Sequence, residues 1–218
     1  MSKILDWVGD NYGLVWSLTV SHIWLTLIPT AIGLLIALPL GWWAYRSRRS
    51  YTPIVGVAGL FYTIPSLALF IFLPPVIGTK ILDPINVVLA LTIYTVALLV
   101  RVVADGLASV PVETVLAARA MGYRTWQILF LVELPVAVPV ISAGLRVAVV
   151  SNVSIVTLAA LLGISQLGSL FTQGLQLQLY GPLVSGVVMC VVLAVIFDVA
   201  IQIANRIATP WRERVVTS

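Results

Sequence analysis

Residues Ile23–Tyr45 read IWLTLIPTAIGLLIALPLGWWAY, and none of them carries a charge. A helix needs about 20 such residues to cross the hydrocarbon core of a bilayer, where an open strand would leave its backbone groups unpaired. This stretch therefore predicts a membrane-spanning helix. The whole composition agrees, because 61% of the residues are hydrophobic and 9% are charged, whereas a soluble domain carries about 25% charged residues.

Four further stretches meet the same criterion, and the sequence predicts an all-α polytopic membrane protein with five transmembrane helices. The five spans are about Ile23–Tyr45, Ile54–Val76, Ile85–Ala104, Ile141–Leu162 and Leu183–Ile203. Residues 21–207 then form the transmembrane domain and residues 105–135 a long loop within it. Residues 1–20 are interrupted by charges and glycines, so we expect an interfacial segment, with a sixth span as the alternative.

Ten of the twelve basic residues fall on one side of this topology. They are Arg46, Arg48, Arg49, Arg101, Arg119, Arg124, Arg146, Arg206, Arg212 and Arg214, against Lys3 and Lys80 on the other side. Cytoplasmic loops are enriched in lysine and arginine. The sequence therefore predicts an external N-terminus, a cytoplasmic loop 105–135 and a cytoplasmic tail 208–218.

Small residues and prolines mark the contacts and bends of the predicted helices. Gly33, Ala37 and Gly41 recur at a spacing of four residues, which allows close approach of another helix, although ordinary apolar filler gives the same pattern. Proline removes a backbone donor and kinks a helix. We therefore expect kinks at Pro29, Pro39 and Pro65.

The cytoplasmic loop contains the stretch VPVETVLAARAMGYRTWQILFLVELP, residues 110–135. Pro111 and Glu113 favour a helix start, and Gly122 favours a left-handed stop. A second short helix is predicted over Trp126–Leu131, with Pro135 blocking direct continuation into the next span. The first helix has a small-residue face that could enter a groove on another protein, or the loop could lie on the membrane surface.

This loop resembles the EAA loop of ABC importer permeases, whose pattern is Glu-Ala-Ala, three residues, Gly, nine residues and Ile-x-Leu-Pro. The matching positions are Ala117, Ala118, Gly122, Leu134 and Pro135, with Val132 in place of isoleucine. Leu116 occupies the position of the family's glutamate, and Glu113 lies about one turn earlier on a neighbouring face. The resemblance implies that the loop, including Glu113 and Arg119, contacts an ATPase.

The sequence from about residue 20 to residue 210 resembles the permeases for glycine betaine, choline, carnitine and proline. The resemblance is clearest in YTIPSLALF (residues 62–70) and RAMGYRTWQILFLVELPVAVPVISAGLR (residues 119–146). The resemblance implies a MetI-like fold with a five-helix core in a bacterial cell (inner) membrane. It also implies a second permease subunit (identical or homologous), two ATPase subunits and an external binding protein. No G-x-x-x-x-G-K-[ST] phosphate loop occurs in the sequence. ATP and Mg²⁺ are therefore expected on the partner ATPase, and this chain is predicted to be a permease rather than an enzyme.

Polar and charged residues within the spans are the other candidates for function. Tyr62, Ser66, Tyr94, Asn152 and Ser154 could line a translocation path, or could only join helices by hydrogen bonds. Arg146 and Asp198 are costly in lipid and should face protein or water. We expect Asp198 to pair with Arg146 or Arg101, either as part of a gate or as a fixed ion pair.

Other classes of protein remain as alternatives at this point. An ABC permease for another solute, such as an amino acid or methionine, would carry the same loop. A secondary carrier or channel would need no ATPase. A membrane-embedded enzyme is disfavoured because His22 is the only histidine and the acidic residues are scattered. The single cysteine, Cys190, allows no intrachain disulfide, and no metal-binding set is predicted.

Overall fold

The computed structural model describes residues 2–211, with side chains from Asp6 onward except that of Arg48. These residues form helices and turns without a strand. The helices are α1 Ser2–Asp10, α2 Tyr12–Arg46, α3 Arg48–Thr63, α4 Ser66–Ile77, α5 Pro84–Ala108, α6 Val112–Ala120, α7 Thr125–Ile128, α8 Leu134–Val156, α9 Ser169–Gln176 and α10 Tyr180–Ala208. Most of the predicted tail 208–218, including Arg212 and Arg214, lies outside the described residues.

Four stretches of the described residues are continuous helices that are long and apolar enough to cross a membrane. They are α2, α5, α10 and the composite helix Thr125–Leu162. In this composite helix, a π-helical turn at Leu129–Glu133 joins α7 to α8, and a 3₁₀ segment at Thr157–Leu162 follows α8. The pair α3 and α4 passes the same test together, but is bent by 102°. The all-helical five-span prediction is confirmed, with the second span broken rather than continuous.

The break between α3 and α4 has a clear local cause at Pro65. The residue before a proline is pushed out of the helical region, and Ile64 has φ −65° and ψ 129°. Its carbonyl accepts a hydrogen bond from the Tyr94 hydroxyl of α5, so the polar group freed by the break is paired. The predicted kink is confirmed, whereas α2 remains one helix through Pro29 and Pro39.

Helix α2 begins at Tyr12, well before the predicted start at Ile23. Val15 and Leu18 are buried, and Leu18 packs against Leu167, Leu170 and Leu193. This packing extends the helix into the segment that the sequence assigned to the membrane surface. Residues 12–20 are therefore part of the first long helix, and α1 packs against α10.

Helices α2 and α5 approach each other closely where the small residues of α2 meet the surface of α5. A Cβ added at Gly33 would lie 2.5 Å from Thr95 Cβ, and one at Gly41 would lie 2.6 Å from Val103 Cβ. Ala37 is fully buried between them. The four-residue spacing is thus a packing interface and not apolar filler.

Pro135 does not stop the helix, contrary to the prediction. The π-helical turn widens the helix by one residue, and the Leu134 amide donates to the Leu129 carbonyl. Pro135 then occupies the first turn of α8, where its missing N–H costs little. The loop therefore continues directly into the fourth span.

Candidate functional site

The loop that links α5 to α8 forms a compact hairpin of α6 and α7, here called the loop hairpin (residues 111–135). Helix α6 ends at Ala120, and Gly122, two residues later, has a φ of +84°. The Gly122 amide donates to the Arg119 carbonyl at 2.9 Å and the Tyr123 amide to the Ala118 carbonyl at 3.2 Å. These two bonds form a Schellman C-terminal cap, so the predicted stop at Gly122 is confirmed. Gln127 Oε1 then accepts from the Arg124 amide at 2.8 Å, at the start of α7.

The two alanines of the motif have different positions in the loop hairpin. Ala118 is 1% exposed and packs with Val110, Val115 and Ile128, so it fixes the hairpin internally. Ala117 is exposed. The expectation that both alanines lie on a contact surface is therefore wrong for Ala118, because helix α6 turns that face toward α7.

The outer surface of the loop hairpin is largely apolar. Leu116, Met121, Tyr123 and Trp126 are exposed large hydrophobic residues, and Met121 is 70% exposed. The charged Glu113, Arg119 and Arg124 are also exposed. An apolar surface rimmed by charges is typical of a protein contact site. The sequence pattern identified the small residues but did not indicate this larger apolar surface.

A buried carboxylate links the loop hairpin to the first span. Glu133, at the end of the π-helical turn, is 3% exposed and accepts a hydrogen bond from the Tyr45 hydroxyl at 3.2 Å. Trp42, Tyr45 and Leu134 pack against the core cluster that contains Val103 and Ala137. The sequence analysis did not identify this pair, although an acidic residue two positions before Pro135 in an apolar run was a signal. Movement of the hairpin is thereby connected to α2 as well as to α8.

Asn152 is buried inside the helix bundle, with 2% of its surface exposed. Its amide nitrogen donates to Thr30 Oγ1 and to Thr95 Oγ1, both at 2.9 Å. The two threonine hydroxyls donate in turn to the carbonyls of Thr26 and Leu91. The side chain therefore joins α8 to α2 and α5 in one buried polar network.

The other residues predicted for a translocation path do not form one continuous line. Tyr62 and Tyr94 meet edge to face with ring centroids 6.0 Å apart, and with Asn152 they line a cavity of about 10 Å³. That volume holds about one water molecule. Ser66 lies in the first turn of α4, and Ser154 is exposed on another face of α8. The structure thus brings together three of the five residues.

Asp198 pairs with Arg146, one of the two partners expected from the sequence. Arg146 Nε donates to Asp198 Oδ1 at 2.6 Å and Nη2 donates to Oδ2 at 2.9 Å, a bidentate geometry. Gln202 Nε2 also donates to Asp198 at 2.6 Å. Arg101 instead contacts Asp105, one turn along α5, at 3.4 Å. The pair joins α8 to α10, and its side chains are 39% and 26% exposed.

A second buried network, which the sequence analysis did not predict, holds the opposite end of the bundle. His22 is fully buried, and its two ring nitrogens lie 3.1 Å from Gln166 Oε1 and 3.1 Å from the Val153 carbonyl. Gln166 Oε1 also accepts from the Gly168 amide at 2.5 Å, and its Nε2 donates to the Thr157 carbonyl. These bonds fix the turn between the 3₁₀ segment and α9. His22 is thus a structural side chain, and the described residues contain no cluster of metal-ligating groups.

Residues 14–210 match the family model described as "Binding-protein-dependent transport system inner membrane component". The chain belongs to this family. The match begins at Leu14 of α2 and runs through the end of α10, so it includes the loop hairpin but not α1. The five-helix MetI-like core expected from the sequence is therefore confirmed, and the protein is a membrane-embedded permease component of an ABC importer, a family that works with ATPase and substrate-binding partners.

Full-length relatives and solved structures agree with this family assignment. The osmoprotectant import permease protein OsmW of Salmonella typhimurium is 35% identical over 209 residues, covering 94% of this chain and 97% of OsmW. The glycine betaine/carnitine/choline permease protein OpuCB of Bacillus subtilis is 28% identical over 210 residues, with 96% and 95% covered. An inward-facing MetNI methionine ABC transporter has a TM-score of 0.82 at 21% identity, with 92% of this chain and 98% of that chain covered. The last match supports the fold.

Proposed function

We propose that this permease imports compatible solutes such as glycine betaine, choline, carnitine or proline. The observation that carries the proposal is the 35% identity to an osmoprotectant import permease over nearly the whole of both chains. Relatives named for glycine betaine, carnitine and choline transport match over similar lengths. A permease for another small solute, such as an amino acid, remains the competing function.

The loop hairpin is proposed as the ATPase contact. Leu116, Met121 and Tyr123 supply an exposed apolar surface, which offsets the loss of the family's glutamate at Leu116. The hairpin continues through the π-helical turn into α8, and Tyr45 ties it to α2. Motion of the ATPase would therefore tilt two spans together. Glu113 and Arg119 add charged contacts at the rim of this surface.

The proposed assembly has two permease subunits, two ATPase subunits that bind ATP and Mg²⁺, and an external binding protein. The N-terminus lies outside and the loop hairpin inside, in agreement with the distribution of arginine. The partly exposed side chains of Arg146 and Asp198 then face water or the second permease, since a charged pair is costly against lipid. Their face of α8 and α10 is proposed to border the pathway between subunits.

The test is solute uptake by the purified complex in proteoliposomes that contain ATP. We expect uptake of radiolabelled glycine betaine that requires the ATPase, ATP and the binding protein. Unlabelled choline, carnitine and proline are added in turn as competitors, and methionine serves as the control solute. Competition by methionine alone would overturn the proposed substrate class, and uptake by the permease without ATPase would overturn the proposed energy coupling.

A further inference from the structure

A long apolar groove runs along one side of the bundle between α2, α3 and α5. Its volume is about 710 Å³, within the range of about 300–1,000 Å³ that is usual for ligand sites. Leu40 of α2, Val57 and Phe61 of α3, and Val96 and Val100 of α5 form its walls. Val57 is 53% exposed although it is fully apolar, so the groove is open to the membrane in the single chain.

The groove has the length of one bilayer leaflet. Along α3 its lining runs from Arg49 to Phe61, which is about 18 Å at a rise of 1.5 Å per residue. The hydrocarbon core of a bilayer is about 30 Å thick, so each leaflet contributes about half of this. The groove therefore matches the depth of an acyl chain in the leaflet on the arginine-rich side.

A positive charge stands at the end of the groove where a lipid headgroup would lie. Arg49 and Ser50 line that end, and Arg46 is exposed at the end of α2. Arg49 is exposed and has no carboxylate partner among the described residues. A guanidinium binds phosphate through paired hydrogen bonds, and the cytoplasmic leaflet is the anionic one.

The lining disfavours the transported solute as the occupant. Among the side chains that the structure describes, no aspartate or glutamate lines the groove, and Arg49 is its single charged lining residue. A quaternary ammonium solute would therefore meet a like charge at the mouth. A helix of the second permease subunit could cover the apolar walls, but it would leave Arg49 without an anion unless it brought a carboxylate.

We propose that this groove binds one anionic phospholipid of the cytoplasmic leaflet, with an acyl chain along α3 and the phosphate on Arg49. The proposal uses the cytoplasmic orientation of the α2–α3 turn but not the identity of the solute. The lipid completes the packing between α3 and the α2–α5 pair, where the protein itself leaves space.

The experiment is native mass spectrometry of the purified complex titrated with phosphatidylglycerol or phosphatidylcholine of identical acyl chains. The wild-type complex should prefer phosphatidylglycerol by about fivefold, since one arginine near the headgroups is worth about 1 kcal/mol. Arg49→Gln should abolish this preference and Arg49→Lys should retain most of it. Val57→Trp fills the groove and should reduce binding of both lipids.

The matched control is Leu60→Trp, which adds the same side chain on the same helix outside the groove lining, at a position 68% exposed. It should bind both lipids as the wild type does. Full phosphatidylglycerol preference in Arg49→Gln, or unchanged lipid binding in Val57→Trp, would overturn the proposal. A further test combines Val57→Cys with Cys190→Ala and places a cysteine on the second permease. A disulfide between these two cysteines would also overturn the proposal, because a protein would then fill the groove. Solute uptake is not measured, so the outcome is independent of the proposed substrate class.

Discussion

Gly122 carries the turn of the loop hairpin through its backbone and not through close packing. Its φ of +84° lies in the left-handed region, and an added Cβ would meet nothing within 4 Å. Asparagine and aspartate tolerate this region better than other non-glycine residues. The two substitutions therefore differ mainly in the charge that they place next to Met121 and Tyr123, on the proposed contact surface.

Gly122→Asp should lower ATP-dependent uptake by about tenfold or more, because a buried unpaired charge in a contact costs well over 1.4 kcal/mol. Membrane insertion and the yield of the permease should stay unchanged. Gly122→Asn is the matched control and should keep most of the uptake. Equal uptake by both variants and the wild type would contradict the assignment of this turn to the ATPase contact.

Asp198 and Arg146 form a bidentate pair between α8 and α10, so a single substitution leaves one charge without its partner. Arg146→Asp and Asp198→Arg should each reduce the amount of assembled complex, measured by size-exclusion chromatography. The double variant with the charges exchanged should recover part of it, because an ion pair re-forms. No recovery in the exchanged variant would contradict the role of this ion pair in holding α8 against α10.

At the scale of elements, the structure rests on two kinds of helix contact. Helices α2 and α5 meet through glycines and a buried alanine, with no room for a larger side chain at Gly33 or Gly41. The loop hairpin meets α2 through a partly buried polar pair, Tyr45 and Glu133. The first contact holds α2 against α5 within the bundle, and the second holds the loop hairpin in position relative to the bundle.

Gly41→Ala should destabilise the permease by about 1–3 kcal/mol, because the added methyl group overpacks the contact with Val103. The measurement is the thermal unfolding midpoint of the purified protein. Adding Val103→Ala should restore only part of the loss, because the added Cβ also lies 2.9 Å from the Val100 carbonyl oxygen. Gly59→Ala is the control, since nothing lies within 4 Å of a Cβ at Gly59, and an equal loss there would contradict the packing explanation.

Tyr45→Phe should loosen the loop hairpin, because it removes the hydrogen bond to the buried Glu133 and leaves a carboxylate oxygen unpaired at a cost of about 1–3 kcal/mol. We expect fewer solute molecules transported per ATP hydrolysed. Tyr51→Phe is the matched control, since its hydroxyl bonds to Asp105 in an exposed position. A transport ratio unchanged in Tyr45→Phe would show that this link does not transmit motion.

At the scale of the whole molecule, the sequence predicts what depends on composition and local chemistry. The lengths of the apolar stretches predicted the spans, Pro65 predicted a break and Gly122 predicted a helix stop. Each of these effects depends only on residues near in sequence. The 102° bend, the burial of Ala118 and the Tyr45–Glu133 bond were not predictable, since they depend on helices distant in sequence. The extension of α2 to Tyr12 has the same origin, in packing against residues near 167–193.

The two ends of the molecule are distinguished by two exposed positions, Met121 on the loop hairpin and Tyr180 at the start of α10, which are 70% and 80% exposed. Single cysteines at each position, made with Cys190→Ala, allow a bifunctional thiol crosslinker to report the neighbours of each end in the complete complex. We expect Met121→Cys to crosslink to the ATPase subunit, with a yield that changes when ATP is added, and Tyr180→Cys to give no ATPase crosslink. A crosslink to the ATPase from Tyr180→Cys, or none from Met121→Cys, would contradict the proposed role of the loop hairpin.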